Sequence, residues 1–299
     1  MTRHLILFGF TPARQAALAS DLHQLGFDSP RHDHGGLRVQ WQPCHEARRG
    51  ELFNGLRELA TDFAVLPPGL DLADFCLLAC DMDSTLIEVE TIVALAGLVG
   101  AAGEVGRLTE RAISDARDDY AASMRYRIGL LRGLAVADLH RLIERTVRLS
   151  PGAAELIAMA ARAGLRTAIV SGGFDLVAQG IRQRLGMDEA FAHKLEVVDG
   201  RLSGTLLGEV IDAPGKATIV QRLCARHGIA PRQVIAVGDG ANDLDMARQA
   251  GLFVGFRPKP VLLPACDIVL DHGGLDSLST ALALARDRQA EGLRAGAVQ

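Results

Sequence analysis

Five short apolar runs recur along the chain: Cys76–Cys80, Thr167–Val170, Val234–Val237, Leu252–Val254 and Asp267–Leu270. They are strand-length rather than helix-length, and apolar runs without alternation suit strands buried on both faces. Amphipathic stretches lie between them. Pro151–Ala163 has Ser150 as an N-cap, Pro151 at the first helical position and Gly164 at its end. Asp175–Leu185, Lys216–His227 and Asn242–Gln249 are the other expected helices. Strands alternating with helices predict an α/β fold, a parallel sheet with helices on both faces.

Two segments interrupt this order. Residues 89–149 contain no convincing strand and read as several helices inserted after the first strand, a cap. Phe191–Val210 reads as a β-hairpin, with Leu195–Val198 and Leu206–Val210 flanking Asp199-Gly200 and Ser203-Gly204. Residues 1–70 differ from the rest and read as a small α+β domain. They hold an apolar strand (Leu5–Phe8), helical stretches at Arg14–Leu25 and Arg48–Thr61, and a polar segment around His32, Asp33 and His34. Pro67-Pro68-Gly69 marks the boundary. The expected division is therefore 1–70, a core of 71–88 with 150–299, and the cap of 89–149.

Composition narrows the function. Apolar residues make up 48% of the 299, enough for a sizeable core, whereas aromatics at 4% give little stacking surface for single-stranded nucleic acid. The net charge of −4 does not suit a protein that binds phosphate backbones through bulk charge. Cys44, Cys76, Cys80, Cys224 and Cys266 are scattered, with no C-x-x-C pair, so neither a disulfide framework nor a zinc ribbon is expected. Leu5–Phe10 is short for a signal h-region, and Thr91–Gly103 falls short of a membrane span. The chain reads as cytoplasmic, with no nucleic acid or membrane as partner. No G-x-x-x-x-G-K-[ST] string is present, so no P-loop is expected.

Four polar clusters fall where the strands and helices place the carboxyl ends of a parallel sheet, the usual ligand-binding edge. Asp81-Met82-Asp83-Ser84-Thr85 puts two carboxylates at i and i+2, able to share one side of an extended chain. One can attack while the other moves a proton, and both suit a hard cation such as Mg²⁺. Ser171-Gly172-Gly173 offers a hydroxyl and backbone N–H groups that a phosphate can approach closely. Lys216 opens a helix, where a bound anion would explain an otherwise unfavourable cation. Gly238-Asp239-Gly240-Ala241-Asn242-Asp243 places acids at a tight turn, where Asp239 can complete a metal site and Asp243 is either a ligand or a helix-end charge. Together the clusters can neutralise a phosphoryl dianion well enough for a carboxylate to approach it.

The order Asp-x-Asp-x-Thr, Ser, Lys, Gly-Asp-x-x-x-Asp resembles the haloacid dehalogenase-like phosphatases. The strings Asp81–Glu90, Ser171–Phe174 and Val237–Asp243 resemble the phosphoserine phosphatase group among them, over about residues 75–285. The resemblance implies a Rossmann-like core and an aspartyl-phosphate on Asp81. It implies that Asp83 protonates the leaving serine oxygen and then activates water. Mg²⁺ would be held by Asp81, the Asp83 backbone carbonyl and Asp239. Ser171, Gly172 and Lys216 would bind phosphoryl oxygens, and Asn242 would help to orient phosphate or water. Glu90 would take the substrate ammonium and Arg127 its carboxylate, with Arg125 as an alternative reader. The implied reaction is hydrolysis of O-phosphoserine, the last step of serine biosynthesis; the alternative is another small phosphomonoester or another acceptor. A regulatory-type domain at residues 1–70 and a homodimer are also implied by resemblance alone.

Ile92-Val93-Ala94 departs from the acidic pair common in that group, and the cap is slightly longer around Arg117–Tyr120. His32, His34 and His45 are expected in a solvated loop rather than at a metal, and Trp41 in packing.

Overall fold

The structure is a computed structural model that describes residues 2–33, 35–114 and 120–286. Among these residues eleven strands form one sheet: β1 (Arg3–Phe8), β2 (Arg31–Asp33), β3 (Gly36–Trp41), β4 (Asp62–Leu66), β5 (Leu77–Cys80), β6 (Arg166–Phe174), β7 (Glu189–Val198), β8 (Arg201–Leu207), β9 (Val234–Gly238), β10 (Leu252–Phe256) and β11 (Ile268–Leu270). Their order is β2-β3-β1-β4-β11-β10-β9-β5-β6-β7-β8. The stretch from β11 to β6 is parallel, as the five apolar runs predict, and β7, expected only as part of a hairpin, adds a sixth parallel strand.

Alternation of side chains across the sheet divides the apolar residues between two cores. Leu78 and Cys80 of β5 share one core with Ile6 and Phe8 of β1, while Leu77 and Ala79 share the other with Leu5 and Leu7. The N-terminal strands thus extend the same layers. β4 pairs antiparallel with β11, Ala64 opposite Ile268 and Phe63 opposite Val269. Buried Asp62 reinforces the seam by accepting the N–H groups of Asp271, His272 and Gly273, each at 2.9 Å. Arg57 adds a bidentate pair to Asp271 at 2.7 and 2.9 Å.

The inserted segment is helical, with helices Thr91–Gly97, Ala102–Ser114, Tyr120–Gly129 and Val136–Thr146. Its two stems meet where Ile87 bridges Leu149, flanked by Glu88 N–H to Arg148 O and Ser150 N–H to Leu86 O. The β7–β8 hairpin braces the cap through Gly133 N–H to Leu202 O and Val136 N–H to Gly200 O. Arg117, singled out in the longer cap segment, lies outside the described residues, as does His34.

Some boundaries differ from expectation. The helix expected from Pro151 starts at Ala153, because Gly152 takes φ +75° and turns the chain before the helix begins. β8 starts at Arg201 rather than Leu206, directly after a tight turn at Asp199-Gly200, both at positive φ. The polar segment around His32 is part of the β2–β3 pair. His45 is not in a solvated loop: it is buried on the short helix Pro43–Ala47, with ring centroids 4.5 Å from Phe27 and 5.4 Å from Trp41. Trp41 is a packing residue, and its indole N–H donates to Glu46 at 2.8 Å. Among the described residues no helix is long and apolar enough to cross a membrane.

Candidate active site

Asp81 follows the last residue of β5, its N–H bonded to Val237 O of neighbouring β9 at 2.9 Å. Asp239 follows the last residue of β9. The two acids therefore sit side by side because their strands do. Lys216 enters from the first turn of the helix Ala213–His227, which Asp212 caps by accepting the Gly215 N–H at 2.8 Å. The helix starts three residues before Lys216, so the ammonium is carried inward rather than left at the helix mouth. It is fully buried and lies 2.8 Å from Asp81 Oδ1 and 2.7 Å from Asp243 Oδ1.

Asp243 is more than a helix-end charge. Its second oxygen accepts the N–H groups of Asp239 at 3.1 Å and Gly240 at 3.3 Å, which fixes the turn carrying Asp239. Burial pushes Asp243 up to about 6, with Lys216 opposing the rise. Burial alone would lower Lys216, but Asp243 and Asp81 more than offset it, so the ammonium stays charged and the contacts are ionic.

The carboxylate oxygens of Asp81, Asp239 and Asp243 lie within 4.8 Å of one another. Burial, then the nearby Asp81 charge, pushes Asp239 well above the ordinary carboxylate range. Its hydroxyl contact from Thr85, at 3.5 Å, is long. Three buried carboxyl groups share one ammonium, and Asp239, which Lys216 does not contact, is pushed toward its neutral form for want of a second cation. That donor set fits a hard divalent cation. Asp83 belongs to the expected ligand set only through its backbone carbonyl, and its carboxylate is engaged elsewhere.

Asp83 Oδ2 accepts from both the N–H and the hydroxyl of Thr91, at 2.8 and 2.6 Å. Oδ1 is buried with no partner among the described residues. Burial, then the Glu90 charge, raises Asp83 well above its ordinary value, so it favours the protonated state that can give up a proton. Thr91 begins the first cap helix, so the cap sets the orientation of this acid.

A partly open cleft with about 30 Å³ of free volume gathers the other predicted residues. Its walls include Asp81, Asp83, Asp239, Ser171, Gly172, Asn242, Glu90 and Arg127. Ser171 Oγ accepts the Gly173 N–H at 2.9 Å. Asn242 Oδ1 is buried with no partner among the described residues. Glu90 accepts the Ser84 hydroxyl at 2.7 Å, and burial raises its pKa. Arg127 is 1% exposed, donates to the Thr109 hydroxyl at 2.8 Å and lies 5.7 Å from the Tyr120 ring centre. Arg125 is exposed and, unlike Arg127, does not line the cleft. Lys216 and Asp243 lie behind the walls, acting on the cavity through Asp81 and the Asp239 turn.

The sequence reading missed several participants. Ser84, held at φ +58°, and Thr91 position the two acids beside the first motif. Thr109 and Tyr120 support Arg127. His193 backs the Ser171 segment. Ser84 and Thr91 lay within reach of the first motif's spacing, whereas the others are brought in only by the tertiary fold. Ile92 lines the cavity and Val93 packs the first cap helix against the second, so the departure at 92–94 falls at a helix–helix contact.

Residues 78–248 match the haloacid dehalogenase-like hydrolase family. The chain belongs to that family. Within this hydrolase family it is a phosphoric monoester hydrolase, and its relatives are phosphoserine phosphatases. A Polaromonas sp. protein described as phosphoserine phosphatase is 41% identical over 218 residues, 72% of this chain and 92% of that one. A phosphoserine phosphatase structure with a phospho-aspartyl intermediate analogue is 36% identical, with TM-score 0.66, covering 69% of this chain and 98% of that one. A probable phosphoserine phosphatase from Vibrio cholerae, solved without ligand, is 30% identical with TM-score 0.72, covering 95% and 87%. That last likeness takes in most of the N-terminal strands of this hydrolase as well.

Proposed function

We propose that this hydrolase converts O-phosphoserine to serine and phosphate through an aspartyl-phosphate on Asp81, with Mg²⁺ as its metal. The observation that carries the proposal is one cleft lined by both halves of the chemistry: Asp81, Asp83 and Asp239 on the core side, Glu90 and Arg127 on the cap side.

Lys216 and the Met82 N–H both hold Asp81 Oδ1, which fixes the carboxylate plane before attack. An Asp81 oxygen forms a bond to phosphorus as the bond from phosphorus to the serine oxygen breaks. Asp83 gives its proton to that oxygen. The resulting Asp83 carboxylate then takes a proton from water, and the water oxygen attacks phosphorus and releases Asp81. Ser171, Gly172 and Asn242, which line the cleft, hold phosphoryl oxygens and the attacking water in place, while Lys216, expected from the resemblance to bind the phosphate directly, lends its charge from behind Asp81. Asp81, Asp239 and the Asp83 carbonyl would hold Mg²⁺, which when bound would supply neutralising charge at the phosphoryl group. Glu90 pairs with the ammonium and Arg127 with the carboxylate of the amino acid.

The division into residues 1–70, the core and the cap is proposed as the functional one, with cytoplasmic serine biosynthesis as the setting and a homodimer as the assembly. The test is phosphate release from phosphoamino acids and sugar phosphates, with Mg²⁺ and with EDTA. Preference for phosphoserine, lost in EDTA, is expected. Equal turnover of sugar phosphates would instead support the broader phosphomonoesterase alternative.

A further inference from the structure

β6 and β7 pair at Val170 opposite Phe191 and again at Phe174 opposite His193, with a slip of register between. The residues inside the slip are Ser171, Gly172 and Gly173, so a side chain rather than the ladder meets Gly172. His193 Nδ1 lies 2.9 Å from Gly172 O, and its Nε2 lies 2.6 Å from the Ile211 backbone N. A carbonyl only accepts and an N–H only donates, which fixes the imidazole as Nδ1–H donor and Nε2 acceptor. The ring is 2% exposed. Burial lowers its pKa to about 4, so the neutral form persists at ordinary pH.

Gly172 O and Gly173 N–H belong to one rigid plane and point in opposite directions. With the carbonyl held by His193, the N–H reaches Ser171 Oγ at 2.9 Å. Ser171 then accepts from the backbone, and its single hydroxyl hydrogen is left to donate elsewhere. The plane lies between two glycines, whose conformational freedom makes a flip easy. Both positions are crowded: a Cβ on Gly172 would lie 2.2 Å from the Tyr120 hydroxyl, and one on Gly173 would lie 2.7 Å from Met82 Cε. A flipped plane would point its carbonyl at Ser171 and capture the hydroxyl hydrogen.

We infer that His193 is a positioning residue for phosphoryl recognition, locking the 172–173 peptide so that Ser171 donates its hydroxyl hydrogen to a phosphoryl oxygen. This rests on the proposed phosphoryl role of Ser171 and Gly172.

Two substitutions separate the two hydrogen bonds. His193→Asn keeps an amide donor near Nδ1 for Gly172, while His193→Gln keeps an acceptor near Nε2 for Ile211. Competitive inhibition by inorganic phosphate, with Mg²⁺ present, is the readout, alongside Tm. The Asn variant is expected within about threefold of wild type and the Gln variant at least about tenfold weaker, with the Gln loss equal for phosphoserine and p-nitrophenyl phosphate. Equal losses in both variants, or losses that follow Tm, would overturn the role, as would a loss confined to phosphoserine. If the Gln variant does not fold, a cycle of His193→Asn with Ser171→Ala decides instead. In that cycle the inference requires His193→Asn to stay within about threefold of wild type both with and without the Ser171 hydroxyl, and a larger loss that persists in the Ser171→Ala background would overturn it. Absence of phosphate release from every substrate by the wild type would overturn the phosphatase proposal itself, and this inference with it.

Discussion

Lys259 donates to both carboxylate oxygens of Glu110, at 2.9 and 3.1 Å, so a core loop grips the second cap helix. The same residue anchors the loop to the site, because its backbone N–H donates to Asp239 O at 2.7 Å. Both side chains are partly solvated, so the pair contributes at most about 1 kcal/mol. Lys259→Ala is expected to speed amide hydrogen exchange in Ala102–Ser114 a few-fold and to reduce its salt dependence. Unchanged exchange there would remove the pair from control of the cap.

Asp81→Asn keeps the size of the side chain but removes the attacking charge. The expected result is a folded protein with kcat lower by about 10⁴-fold or more. Phosphate release and circular dichroism on the same sample check it; near-normal kcat would exclude Asp81 as nucleophile.

Lys216→Met removes the only ammonium seen against Asp81 and Asp243 among the described residues. Two buried carboxylates would then be left unpaired, at a cost of about 3–5 kcal/mol. Adding Asp243→Asn should restore part of that loss. Urea unfolding of the single and double variants measures both effects, and equal midpoints would show that the charges are not coupled.

Arg127→Ala is expected to raise KM for phosphoserine at least about tenfold, because a buried, charge-assisted carboxylate contact is lost. p-Nitrophenyl phosphate has no carboxylate, so its KM should change much less. Matching shifts for the two substrates would contradict the specificity role.

His193 gives a pH dependence with a definite sign. Its pKa falls from 6.5 to about 4 on folding, mainly through burial, with Lys216, Arg127 and Arg125 adding to the fall and the Gly172 carbonyl opposing it. The unfolded chain therefore binds a proton that the folded chain refuses between those values. This contribution is absent above about pH 6.5 and costs roughly 3 kcal/mol of stability once the pH has fallen to about 4. Urea midpoints against pH should show this slope in the wild type and a flatter one in His193→Asn; identical slopes would refute the assignment.

The parallel core was legible because its strands are buried on both faces and write themselves as unbroken apolar runs. β3 was legible in principle, since Leu37, Val39 and Trp41 alternate with Arg38 and Gln40, but the polar residues obscured the period. β4 was too short, between the expected helix Arg48–Thr61 and Pro67-Pro68, to stand out as an element of its own. In the site, Asp81, Asp83 and Asp239 stood out because acids directly after strands are unusual. His193 and Lys259 carried no local signal. They act through backbone atoms or through a partner far along the chain, and only the tertiary fold brings those together.

The seam between β4 and β11 also orders events in time. β4 emerges early in synthesis, and β11 is the last strand to be made among the described residues. Until it arrives, Phe63-Ala64-Val65-Leu66 presents an open apolar edge, the kind that recruits another chain. The interval of greatest exposure is therefore translation itself. Slowing the ribosome between the two strands would lengthen the wait and favour aggregates over folded enzyme, although every contact in the finished protein is unchanged.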